Sequence, residues 1–145
     1  MSGELVVSDV MTRDVVKVKP SATIVEAARK MAENNVGSVI VVDEKDDRLV
    51  VGILTEGDIV FRVVAEGRDP RTTLVEEVMT KNPIVVSEDT PLHIAADLMR
   101  RKNIGHLPVV DSAGRLVGIV SRSDIVRISP GLIELLYVSQ SEEME

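Results

Sequence analysis

The chain has 145 residues, 44% of them apolar and 28% charged, with a net charge of −7, a length and composition that suit one compact domain or two small halves with a real core. The acidity, with Phe61 and Tyr137 as the only aromatic residues, argues against a nucleic-acid surface. The absence of cysteine excludes a disulfide framework and a thiolate metal site, and two histidines are too few for a metal cluster.

The N-terminal residues, with only Leu5–Val7 as an apolar stretch, do not have the form of a signal peptide. No apolar run approaches the roughly 20 residues needed to span a bilayer. A soluble, cytoplasmic protein is expected, with no membrane contact.

In chain order the elements come twice. Met11–Thr12 returns as Met79–Thr80, and Val15–Val18 reads as a strand mirrored by Ile84–Val86. Ile24, Ala27, Ala28 and Met31 then recur at helical spacing, as do Leu92, Ala95, Ala96 and Met99. Thr23 with Glu26 has capping-box spacing, and Pro91 suits a first helical turn. Asn35 and Gly37 match Asn103 and Gly105. The β-branched run Val39–Val42 matches Leu107–Val110. A polar turn (Asp43–Arg48, Asp111–Gly114) leads to Leu49–Leu54 or Arg115–Val120, which predicts a hairpin in each copy.

A second helix is expected to start near Thr55 and Ser121. Arg62–Val78 reads as a connection with a turn at Gly67–Pro70. From Gly131 a short packing helix with Leu132, Ile133, Leu135, Leu136 and Val138 is expected, then a frayed acidic end, Glu142–Glu145. The predicted fold is α/β (α+β): two β-α-β-β-α repeats over 8–66 and 76–130 packed with pseudo-two-fold symmetry, and a C-terminal helix and tail over 131–145. One repeat alone buries too small a fraction of its surface to be comfortable.

Each repeat ends on one pattern: Gly52, two apolar residues, Thr55, two variable residues and Asp58; then Gly118, two apolar residues, Ser121, two variable residues and Asp124. Free N–H groups and a hydroxyl at a helix start suit an anion such as phosphate. An Asp one turn in accepts hydrogen bonds and suits a ribose diol. A strand glycine allows a ligand close to the backbone. Taken alone, Ser/Thr-x-x-Asp is more often an ordinary helix cap, and one residue can serve both roles. His93 reads as surface, and Arg13 and Lys81 as solvated charges. His106, before Leu107–Pro108, fits a ligand contact or a backbone partner equally well. No Gly-x-Ser-x-Gly, His-Glu-x-x-His or Walker-type loop is present, so no enzyme and no cofactor are expected.

The order Val10-Met11-Thr12, Asn82-Pro83, Gly105-His106-Leu107-Pro108-Val109-Val110-Asp111 and both Gly-x-x-Thr/Ser-x-x-Asp endings resembles a pair of CBS domains, a stand-alone Bateman module, over about Val10 to Arg127. The resemblance implies an adenosine ligand (AMP, ADP, ATP or S-adenosylmethionine) in two clefts between repeats. One cleft would use Thr55 and Asp58 for phosphate and ribose, with adenine near Asn82, Pro83, Ile104, Gly105, His106 and Pro108. The other would use Ser121, Ser123 and Asp124, with adenine near Asp14, Val15, Val36, Gly37 and Ser38. Ile53 and Ile119 would line the base.

Arg122 favours phosphate and Glu56 disfavours it, so the Asp124 cleft is expected to take AMP or ADP best. The position of His106 often carries a phosphate-binding arginine in the family; His106 and Ser38 here put tight triphosphate binding in doubt. The run Ile59–Val64 and the tail from Leu132 suggest a homodimer acting in trans on a protein target that the sequence does not identify. The alternative is an apo dimeric scaffold with vestigial clefts.

Overall fold

The computed structural model describes residues 4–137; Val138 and the acidic end Glu142–Glu145 lie outside them. The chain divides into two compact units. The first-repeat unit is Asp14–Pro83, and the second-repeat unit joins the residues up to Arg13 to those from Ile84 onward. Each unit thus draws its opening Met-Thr segment from the start of the other repeat.

In the first-repeat unit the sheet runs in the order β1 (Lys17–Val18), β2 (Ser38–Val42), β3 (Val50–Thr55) and β4 (Thr80–Lys81). β1 is parallel to β2, and the other pairs are antiparallel. The crossover from β1 to β2 is α1 (Ile24–Asn34), whose apolar residues fall on one face because they recur every three to four positions. Ile24, Ala27 and Met31 are buried there. The Thr23 hydroxyl accepts the Glu26 N–H at 3.2 Å and starts the helix. Asn35 ends it in the left-handed region, φ 52°, a conformation asparagine tolerates better than other side chains. Every residue of β2 is buried, which explains a continuous β-branched run in place of alternation.

The connection between repeats is more ordered than a linker. α2 (Glu56–Ile59) runs on through a wider π turn, Val60–Val64. The chain turns at Gly67, φ 68°, and forms α3 (Val75–Val78), which buries Val75 and Val78. β4 then closes the sheet edge. A two-residue strand and a four-residue helix carry too little periodicity to be read in advance.

The second-repeat unit repeats the plan with β5 (Val86–Ser87), α4 (Leu92–Lys102), β6 (His106–Val110), β7 (Leu116–Ser121) and α5 (Arg122–Ile128). β5 is parallel to β6, and β6 antiparallel to β7. The α/β fold with a parallel and an antiparallel pairing in each repeat is therefore the fold found. Asn103 ends α4 at φ 52°, as Asn35 ends α1, so this matched pair is a matched helix stop. Pro91 stands at the N-cap of α4, one position before the expected first turn. Both opening strands are shorter than expected, because only Lys17–Val18 and Val86–Ser87 find a partner in the ladder. The tail turns at Pro130–Leu132 and is helical over 133–137. Leu136 is buried, and Leu132 and Leu135 pack on the α4–β6–α5 core. Among the described residues no helix is long and apolar enough to cross a membrane.

Candidate functional site

The two Gly-x-x-Thr/Ser-x-x-Asp endings fold alike. Each is the last turn of a strand running into a helix start. The Thr55 hydroxyl accepts the Asp58 N–H at 3.1 Å, and Asp58 Oδ2 accepts the Thr55 N–H at 2.9 Å. The Ser121 hydroxyl accepts the Asp124 N–H at 3.2 Å, and Asp124 Oδ2 accepts the Ser121 N–H at 2.9 Å. Both are closed capping boxes, each satisfying two backbone donors reciprocally.

The other carboxylate oxygen distinguishes the copies. Asp124 Oδ1 accepts from Arg127 Nη2 at 2.6 Å, and Asp124 is 7% exposed. Asp58 Oδ1 lies 3.8 Å from Arg62 Nε, an ion pair without a close hydrogen bond. Arg62 and Arg127 were not among the sequence candidates. Their signal is the spacing Asp-x-x-x-Arg for Asp58 and Arg62 and Asp-x-x-Arg for Asp124 and Arg127, which puts the two charges on one helix face.

The helix starts offer fewer free donors than the pattern suggests. The Glu56 N–H donates to the Gly37 carbonyl at 2.9 Å, and the Arg122 N–H to the Gly105 carbonyl at 3.0 Å. With the Asp N–H groups held by the caps, the N–H groups of Gly57 and Ser123 are what each start offers. Beside them, Ser121 and Ser123 hydroxyls stand 2.9 Å apart.

The strand glycines have a different reason from the one expected. A Cβ on Gly52 would meet Met79 Sδ at 2.5 Å and the Thr80 carbonyl at 3.0 Å. A Cβ on Gly118 would meet Met11 Sδ at 2.6 Å and the Thr12 carbonyl at 3.0 Å. What approaches these backbones is the chain's own Met-Thr segment.

The remaining candidates fall into two sets by unit. In the first-repeat unit Ser38 opposes Thr55 across the β2–β3 ladder and is buried, and Gly37 lies under the Glu56 side chain. Val36 and Asp14 are exposed, Val15 is half-buried and Ile53 is buried. Asn82 is exposed at φ 49°, beside half-buried Pro83. In the second-repeat unit His106 opposes Ser121, and Pro108 opposes Ile119 and is buried. Ile119 exchanges two backbone hydrogen bonds with Thr12, at 2.8 and 2.9 Å. Ile104 is half-buried, and its N–H donates to the Met99 carbonyl.

Arg122 is turned toward its own unit. Its Nη2 donates to the Met99 carbonyl at 3.4 Å, and its guanidinium carbon lies 5.7 Å from the centre of the Tyr137 ring, within cation–π range. His93, exposed, pairs with Glu4 at 2.6 Å.

Chemically, each box presents a hydroxyl, a carboxylate already accepting two hydrogen bonds or facing an arginine, and one or two free donors. Such a set has acceptors suited to the hydroxyls of a polyol and donors suited to an anion. Among the described residues no group of three or more His, Asp or Glu side chains is placed to hold a metal ion.

A family model of the CBS domain matches the chain twice, over residues 7–65 and 75–131. The chain is 41% identical over 139 residues to a 17.7 kDa protein of Acidianus ambivalens, covering 96% of this chain and 82% of that one. It is similar to the CBS domain protein PAE2072 from Pyrobaculum aerophilum complexed with AMP, with a TM-score of 0.82 and 33% identity over 90% of this chain and 98% of that one. It is similar also to the CBS domain pair of protein MJ0100 in complex with 5′-methylthioadenosine and S-adenosyl-L-methionine, with a TM-score of 0.79 and 34% identity over 88% and 98%.

Proposed function

The chain belongs to the CBS domain family, and on that premise we propose that it is a regulatory module that binds an adenosine-containing ligand and acts by binding alone, without catalysis. The observation that carries this reading is the doubled capping box, Thr55 with Asp58 and Ser121 with Asp124, in a chain whose structural relatives hold AMP or S-adenosylmethionine. AMP or ADP is the preferred ligand, with ATP and S-adenosylmethionine as the alternatives.

In each unit the Asp has the role of ribose acceptor. Each carboxylate oxygen has two lone pairs, so an oxygen engaged once in a cap or an arginine pair still accepts a diol hydroxyl. Ser121 and Ser123 hydroxyls, 2.9 Å apart, serve the phosphate in the second-repeat unit. In the first-repeat unit Glu56 stands beside the equivalent position and repels it. The second-repeat half-site is therefore the stronger for a nucleotide.

The module works as a homodimer and signals in trans, through a ligand that favours one of two states of the chain. A thermal-shift panel of AMP, ADP, ATP, S-adenosylmethionine and adenosine tests the reading. A true ligand at about a hundredfold excess over its Kd stabilises by about 2.7 kcal/mol. A flat panel favours the second reading, an apo dimeric scaffold, to which the exposed Val60, Phe61 and Val64 also point.

A further inference from the structure

Arg62 and Arg127 each face a carboxylate, whereas Arg122 has a carbonyl and a ring. Its Nη2 reaches the Met99 carbonyl, in the last turn of α4, at the long distance of 3.4 Å. A cation is favoured at that end of a helix. Its Nε is buried and has no hydrogen-bond partner among the described residues. Gly105 leaves room for the side chain: a Cβ there would meet Nη1 at 3.6 Å and Cδ at 4.0 Å. The Tyr137 ring, 5.7 Å from the guanidinium carbon, is set in place by the tail. Leu136 beside it is buried, and Leu132 and Leu135 pack on the same core.

The first-repeat unit builds only half of this arrangement. Its matched residue, Glu56, lies over the matched glycine, with Oε1 3.0 Å from where a Cβ on Gly37 would be. An acid gains nothing from the negative face of a ring. Among the described residues the contact of a cation with a ring is made in the second repeat alone.

Arg122 also stands in sequence between Ser121 and Ser123, whose hydroxyls are 2.9 Å apart. A two-pronged grip on a phosphate takes two neighbouring guanidinium nitrogens. With Nε buried and Nη2 on the Met99 carbonyl, Nη1 is left alone. Arg122 must leave this position to give such a grip.

We propose that Tyr137 is a latch on Arg122 that sets how strongly the adenosine site favours a ligand with a phosphate. This rests on the adenosine-binding function proposed above and adds its regulation. With the latch closed, Arg122 stays on the Met99 carbonyl and the ring. A nucleotide phosphate beside the two serines draws it off, and the tail loses its contact with the site. The coupling is reciprocal: what the ring adds to holding Arg122 the phosphate must overcome, and the phosphate loosens Tyr137 by the same factor. An adenosine ligand without a phosphate leaves the latch closed.

Calorimetry of AMP and of adenosine tests this on the full chain, Tyr137→Ala, Tyr137→Phe, Arg122→Ala and the double variant Arg122→Ala with Tyr137→Ala. Tyr137 is 42% exposed, so these changes at its ring should leave the circular dichroism spectrum unchanged. Tyr137→Ala is expected to tighten AMP about two- to fivefold, the value of an exposed cation–π contact, and to leave adenosine unchanged. Tyr137→Phe keeps the ring and should match the parent chain. Without Arg122, Tyr137→Ala should change neither ligand. The chain has one tyrosine, so fluorotyrosine gives a single fluorine NMR signal. That signal should move on Arg122→Ala without ligand, move the same way when AMP binds the parent chain, and hold its place with adenosine. Tyr137→Ala that weakens AMP makes the ring a support for Arg122 and overturns the latch. So do an unchanged AMP affinity, an equal gain for adenosine, or a gain that persists without Arg122. AMP that binds without moving the fluorine signal overturns the latch and leaves the binding function standing. A chain that binds neither compound overturns that function, and the latch with it.

Discussion

The sulfur of Met11 stands 2.6 Å from the point a Cβ on Gly118 would occupy, and the sulfur of Met79 stands 2.5 Å from the same point on Gly52. Behind each sulfur lies a backbone carbonyl, of Thr12 or Thr80, at 3.0 Å. The sulfur sits on a flexible side chain, but the carbonyl does not. Gly118→Ala and Gly52→Ala are therefore expected to destabilise their units by about 1–3 kcal/mol through overpacking. Adding Met11→Ala to Gly118→Ala should recover only part of the loss. Urea unfolding of the single and double variants measures both.

The capping boxes give a second expectation. Ser121→Ala and Thr55→Ala each remove an acceptor for one backbone N–H, of Asp124 or Asp58. Each is expected to cost about 0.5–2 kcal/mol. Ser121→Thr keeps the acceptor and should restore most of the stability in the same urea titration.

Asn35 and Asn103 both sit at φ 52° after a helix. A β-branched residue there meets the steric cost of the left-handed region, about 1–2 kcal/mol. Asn103→Val is expected to lower the melting temperature, and Asn103→Gly to leave it near that of the parent chain. Thermal unfolding followed by circular dichroism separates the two.

Asp97 accepts from Arg100 at 2.6 Å and from Arg101 at 2.9 Å. The Arg100 hydrogen bond, with help from Arg101 and against some burial, holds its carboxyl below the usual range. A depressed carboxylate contributes stability that is present above its ordinary pKa and lost as pH falls through the folded value. The gap between the parent chain and Asp97→Asn should thus be present near neutral pH and shrink between about pH 5 and pH 2. The effect is small, because the pair is partly solvated.

Much of the fold is legible in the residues because it is local. The spacing of Ile24, Ala27 and Met31 fixes a helical face, and the β-branched runs around Asp43 and Asp111 fix the two hairpins. The Thr55–Asp58 and Ser121–Asp124 spacings are legible as caps. What is not legible is long-range. That Met11 packs on Gly118, and Met79 on Gly52, depends on each unit taking its Met-Thr segment from the other repeat. Spacing along the chain does not report such a contact, so the glycines read as room for a ligand. α3 and β4 are too short to show a period. The direction of Arg122 depends on Tyr137 and the Met99 carbonyl, fifteen and twenty-three residues away in sequence.

Calorimetric titration of AMP into the full chain and into Asp124→Asn and Asp58→Asn tests the central claim most directly. Asparagine keeps an oxygen for the cap and loses the second carboxylate acceptor, so folding and ligand binding are read apart. AMP should bind the parent chain, and Asp124→Asn should weaken it about tenfold, about 1.4 kcal/mol, and more than Asp58→Asn does. An absence of heat with every adenosine compound would contradict the account, as would equal losses in the two variants or a larger one from Asp58→Asn.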